Sequence, residues 1–201
     1  MRIQKIKAMA LTESYMLPLA TQAPPFSLPN VVTGEIETLS QYQGKSGTLI
    51  IFMCNHCPYV IHLRAALIQT AKDFSIKGVT TIAISSNSLK SHPQDGPEAM
   101  KKLAEEAHFN FPYFFDESQE VAHAYQAACT PDFYLFDADL KLYYRGRYDE
   151  SRPGNESPIT GKDLHDACSK MLQGKPYEGL QYPSMGCNIK WEEGNSPEDR
   201  L

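Results

Sequence analysis

The most constraining stretch of this chain is a strand-length apolar run that ends on two cysteines. Thr48-Leu49-Ile50-Ile51-Phe52-Met53 carries no charge and passes directly into Cys54-Asn55-His56-Cys57 and Pro58. A short run of this kind fits a fully buried central strand. From Pro58 to about Phe74, the residues Val60, Leu63, Leu67, Ile68 and Ala71 lay an apolar stripe on a helix, with Pro58 tolerated in the first turn and Lys77-Gly78 closing it. Both thiols therefore fall at a strand-to-helix junction, where unpaired backbone N–H groups and the positive end of the helix dipole favour a thiolate. At this spacing one cysteine can attack a disulfide and the other can resolve the mixed disulfide. Cys54, read as nearer the exposed end, is the expected nucleophile, titrating below a free cysteine, and Cys57, one turn deeper, the resolver. His56 is placed to donate a hydrogen bond to the Cys54 thiolate or to hold a positive charge beside it, which makes the couple more oxidising. The competing reading of a C-x-x-C is half of a zinc site, yet no second Cys/His pair at ligand spacing follows.

The rest of the chain alternates strands and helices. A hairpin is expected between Phe26 and Leu39 around Gly34, then a buried strand over Val79–Ile84, a polar loop from Ser85 to Gly96 and a helix from Pro97 to about His108. Phe111–Phe115 reads as a short strand and Glu117–Tyr125 as a helix. Phe133–Phe136 and Leu142–Arg145 flank a turn as a second hairpin, and a last helix covers Lys162–Leu172. This pattern predicts a three-layer α/β/α domain with a mixed central sheet over residues 21–172. It is preceded by an N-terminal extension over 1–20 and followed by an irregular tail over 173–201, expected to wrap the surface rather than join the sheet. Trp191 and Ile189 are expected to dock that tail on the domain.

Composition narrows the function classes. The 201 residues carry 19 basic against 24 acidic side chains, net −5, so the positive footprint of a nucleic-acid binder is missing. A hydrophobic fraction of 42% supports a real core, and no run approaches the roughly 18 apolar residues that span a bilayer. The basic start, Met1 to Met9, is not followed by an apolar signal region, so a cytoplasmic setting is expected. Cys54, Cys57, Cys129, Cys168 and Cys187 are too few and too irregular for a secreted disulfide framework.

Cys129-Thr130-Pro131-Asp132, just before the strand at Phe133, brings the chain to resemble the thioredoxin superfamily. The resemblance implies a thioredoxin-like fold in which Pro131 is a cis-proline opposite the C-x-x-C and Thr130 offers its main chain to an extended substrate. Phe52–Val60, Cys129–Phe133, Tyr144–Asp149, Ser151–Asn155 and Pro183–Trp191 together resemble the peroxiredoxin-like subgroup of the alkyl hydroperoxide reductase and thiol-specific antioxidant family. The chain departs from a peroxidatic P-x-x-x-T-x-x-C: those positions hold Gly47 and Ile51 before Cys54, and Ile50 and Cys54 before Cys57. Thr48 stands where thioredoxin carries a buried acid.

The leading expectation is a thiol–disulfide oxidoreductase acting on a protein or small-molecule disulfide, without cofactor or metal, with an undefined redox partner. The alternatives are a thiol peroxidase and, from another class, a copper or zinc binding module built on the two thiolates and His56. Cys129 and Cys187 are candidate accessory thiols, although buried inert cysteine is the commoner role. Cys168 reads as packing. Asp132, Arg145, Arg147 and Asp149 fit either a substrate face or surface ion pairs. His62, His92, His108, His123 and His165 are scattered singly.

Overall fold

The computed structural model describes residues 11–199. The basic start and the first half of the expected extension lie outside them. β4 (Gly47–Phe52) is buried at all six positions, as its uninterrupted apolar sequence requires. It pairs in parallel with β5 (Val79–Ser85), which pairs in parallel with β6 (Tyr113–Phe115). On its other side β4 is antiparallel to β8 (Asp132–Asp137), which continues into β9 (Leu142–Gly146). The five-stranded mixed sheet has the order β6-β5-β4-β8-β9.

Side-chain alternation along β4 feeds two cores. Leu49, Ile51 and Met53 pack with α1 (Pro58–Ile76), α2 (Pro97–Glu106) and α4 (Lys162–Leu172). Ile50 and Phe52 face the opposite layer, which holds the short α3 (Glu120–Ala124) and an N-terminal hairpin of β2 (Ser27–Pro29) and β3 (Ile36–Thr38). That layer is thinner in helix than the strand–helix alternation suggested, because the expected helix over 117–125 is cut to five residues by Gln119, whose positive φ of 64° starts it late. No helix among the described residues is long and apolar enough to cross a membrane.

The largest departure is the tail. It was expected to stay outside any sheet, but Met185–Asn188 forms a strand, β10, between β1 (Leu11–Glu13) and β7 (Cys129–Thr130), antiparallel to both. Four residues are too few to show a period, and partners distant in the sequence, β1 and β7, supply the order. The expected docking of the tail is seen: Ile189 is buried, and Trp191 lies 4.3 Å from His123 between ring centroids.

Candidate active site

Cys57 caps the N-terminus of α1, with Pro58 in the first helical turn. The helix N-terminus thus serves Cys57 rather than Cys54, because Cys54 lies three residues before the cap, just past the end of β4. The Cys57 sulfur lies 3.1 Å from the Thr130 carbonyl oxygen and 2.7 Å from the Cys187 sulfur. The Cys54 sulfur lies 3.6 Å from the Thr130 hydroxyl and 3.8 Å from His56 Nδ1. Cys54, Cys57 and Cys187 are all buried, so the expected exposure of Cys54 is not found. The Thr130–Pro131 bond is cis, as the resemblance implied.

The sequence reading missed Asp95. It sits on a 3-10 turn, Pro93–Asp95, in the loop after β5, where a single aspartate among polar residues carries no recognisable signal. Its fully buried carboxylate accepts hydrogen bonds from His56 Nδ1 at 2.6 Å, the Asn55 N–H at 2.9 Å and Asn87 Nδ2 at 2.8 Å. Burial alone would raise its pKa, but these donors, led by His56, hold it below the ordinary carboxylate value. His92 stacks on His56 at 4.8 Å, and burial, then the neighbouring His56, push its own pKa down.

This arrangement reverses the expected acidity of the two thiols. Cys54 is pushed above a free cysteine by donating its proton to the Cys57 sulfur, by burial and by the Asp95 charge. Cys57 is pulled down by donation from Cys187 and from Cys54, which outweigh its burial, with Thr130 and the Val60 N–H adding to the effect. Of the three sulfurs Cys57 is the one drawn down, although its 3.1 Å contact with the Thr130 carbonyl oxygen is one that its protonated thiol donates. His56 directs Nδ1 chiefly at Asp95, leaving the sulfur the longer contact.

Cys54, His56 and Asp95 also bring three ligand-type atoms within 4.8 Å of one another. The 2.6 Å between His56 Nδ1 and Asp95 Oδ2 is a hydrogen bond, with no room for an ion between them. Cys129 is buried beside the site, its thiol 3.8 Å from the Pro131 carbonyl oxygen, with no hydrogen-bonded cysteine partner among the described residues. Cys168 packs in α4, where burial raises its pKa to about 11.

Of the remaining candidates, Asp132 is neither on a substrate face nor ion-paired. It is fully buried, accepting from Ser14 at 3.2 Å and Tyr134 at 3.0 Å. Arg147 pairs with Asp163 at 2.5 Å, Arg145 reaches Gln181, and Asp149 accepts the backbone N–H groups of Ser151, Thr160 and Gly161. A cleft of about 180 Å³ is lined by Pro131 and, among others, Tyr59, His62, Arg147, Arg152 and Met185. None of the three clustered cysteines lines it.

The strand edge of Thr130 is occupied by the chain itself. Cys187 is the partner of Thr130 in the β7–β10 ladder, and Asn188 that of Cys129. Gly186 makes the approach possible, since a Cβ there would lie 2.1 Å from the Thr130 carbonyl oxygen.

The AhpC/TSA family matches residues 19–145, from before the hairpin through most of β9. The chain belongs to the AhpC/TSA family. Among solved structures, this AhpC/TSA chain is similar to an uncharacterized conserved protein from Geobacillus kaustophilus, at 50% identity and a TM-score of 0.89 over 92% of this chain and 97% of that one. A hypothetical protein from Sinorhizobium meliloti 1021 matches at 40% identity and a TM-score of 0.88, over 91% and 100% of the two chains. The thioredoxin domain of a thiol-disulfide oxidoreductase from Bacteroides vulgatus matches at 22% identity and a TM-score of 0.60, over 78% and 99%, which shows the shared thioredoxin-like fold. No curated protein matches the chain. The AhpC/TSA assignment makes this a thioredoxin-like redox protein.

Proposed function

We propose that the chain is a thiol–disulfide oxidoreductase in which Cys54 and Cys57 exchange with a disulfide on a protein or small molecule. The observation that carries this reading is the meeting of both sulfurs with one loop: Cys57 on the Thr130 carbonyl at 3.1 Å and Cys54 on the Thr130 hydroxyl at 3.6 Å, beside cis Pro131. Cys54 gives its proton to the Cys57 sulfur and attacks one sulfur of the substrate disulfide, and the departing sulfur takes up a proton. Cys57 then attacks Cys54, closes the Cys54–Cys57 bond and releases the second half of the substrate as a thiol. His56, fixed by Asp95, is a positioning residue for Cys54. With the edge of Thr130 already paired to β10, substrate reaches Cys54 otherwise than by strand addition along that edge. The proposed compartment is the cytoplasm, where thiols are kept reduced.

Reduction of insulin by the dithiol enzyme, with a returning Cys54–Cys57 disulfide identified by peptide mapping of a Cys187→Ala chain, is the test. Hydrogen peroxide consumption without insulin reduction would replace this reading by the thiol peroxidase. Stoichiometric copper or zinc on purified protein, lost in Cys54→Ser, would replace it by a metal-binding module.

A further inference from the structure

Cys187 belongs to a strand held on both sides. Leu11 of β1 faces it in one ladder and Thr130 of β7 in the other, so its thiol is fixed rather than carried on a free tail. It lies 2.7 Å from the Cys57 sulfur. That is well inside the contact distance of two non-bonded sulfurs and about 0.7 Å longer than the roughly 2.05 Å of a disulfide. Cys57 thus meets the Cys187 thiol at hydrogen-bonding distance, while Cys54, three residues before it, shares with it the Thr130 contact. Cys129 is not part of this group, its thiol facing the Pro131 carbonyl instead.

We propose that Cys187 is a third redox thiol, which takes over the disulfide from Cys54 and stores it as Cys57–Cys187. The proposal rests on the Cys54–Cys57 exchange reading and extends it by one step. Once substrate has closed Cys54–Cys57, the Cys187 thiol loses its proton and its sulfur attacks Cys57. The Cys57–Cys187 bond forms, the Cys54–Cys57 bond breaks, and Cys54 leaves as a thiolate that takes up the proton. Electrons are conserved, since one disulfide is exchanged for another and no oxidant or reductant enters. The oxidised enzyme then carries a buried disulfide with its attacking cysteine reduced. A reductant regains the pair by the reverse route, through Cys54 attacking Cys57.

The test is a disulfide map of the full chain. Reduced wild type is treated with diamide, which accepts the two electrons and two protons, then quenched in acid, alkylated unfolded and digested without reductant. The expected product links Cys57 to Cys187 and leaves Cys54 alkylated. Cys54→Ser, which lacks the first disulfide, is expected to form the same link. A second isomer of the oxidised state also draws the couple toward oxidation. Cys187→Ala is therefore expected to shift the glutathione equilibrium toward the dithiol by more than about twofold where Cys57–Cys187 predominates. Wild type yielding only Cys54–Cys57, with Cys187 wholly alkylated, overturns the proposal even if the variants fold poorly. Failure of the underlying exchange reading shows differently, as a wild type and a Cys187→Ala variant that both form no Cys54–Cys57 bond and do not reduce insulin.

Discussion

On one side of Cys57 the protein places polar and titratable groups: the Cys54 thiol, the His56 ring and the buried Asp95 carboxylate. On the other side it places backbone: Cys187, locked between β1 and β7, with Gly186 pressed onto the Thr130 carbonyl. Both sides present a buried thiol to the same sulfur. They control it by different physics. The Cys54 side is tuned by charge and proton position, so it responds to pH and to single charge changes. The Cys187 side is tuned by steric fit, so it responds to anything that shifts a strand by a fraction of an ångström.

The sharpest break in this comparison is removal of what the two sides share. Cys57→Ser leaves Cys54 and Cys187 without their common partner, and insulin reduction is expected to fall to the uncatalysed rate, with neither disulfide in the peptide map. Next comes the ladder side. Gly186→Ala sets a Cβ against a carbonyl oxygen it cannot avoid, and the expected loss of stability is about 3 kcal/mol, at the upper end of ordinary overpacking, read by urea unfolding. Alkylation of Cys187 in the folded variant should accelerate, while that of Cys54 stays as it was.

Asp132 lies under the same ladder and gives that side its one expected pH response. Burial raises its carboxyl from 3.8 to about 6, so the folded chain keeps a proton that the unfolded chain releases over that interval. The stability contributed by the neutral acid is complete below pH 3.8 and lost as pH rises through about 6, a total of about 3 kcal/mol, with the opposing hydrogen bonds from Ser14 and Tyr134 already counted in that shift. Urea unfolding of wild type and Asp132→Asn between pH 4 and 7 should diverge with rising pH in favour of the variant. A constant difference would place the charge outside the ladder's stability. The smallest effect belongs to the Cys54 side: Asp95→Asn removes a charge that opposes the Cys54 thiolate, and Cys54 alkylation near neutral pH should quicken several-fold, with Cys187 unchanged.

Much of the fold was legible in the sequence, because β4, α1, β5 and α4 each carry a period or an apolar run long enough to declare itself. The pair of thiols and the Thr130–Pro131 loop were legible by motif and resemblance. What stayed hidden depends on groups far apart in the chain. Asp95 matters only because His56, Asn55 and Asn87 converge on it, and nothing within its own loop marks it. The acidity of Cys54 was misread for a related reason. The helix N-terminus is visible at Pro58, but which sulfur occupies it, and which stands beside a buried carboxylate, follows from three-dimensional placement. β10 was missed because its four residues acquire strand structure only from β1 and β7.

Synthesis from the N-terminus to the C-terminus gives that last strand a timing consequence. Cys54, Cys57 and Cys129 are all made before Cys187, and β10 cannot form until nearly the whole chain is available. Its ladder with β1 joins residues more than a hundred positions apart and its ladder with β7 residues more than fifty apart, contacts of the kind whose loop closure is costly and which form late. An incomplete chain therefore has Cys57 without Cys187 and the Thr130 edge without its cover. The Cys57–Cys187 contact exists only once β10 has met both β1 and β7, so the third thiol we propose is available only to a chain in which those ladders have closed.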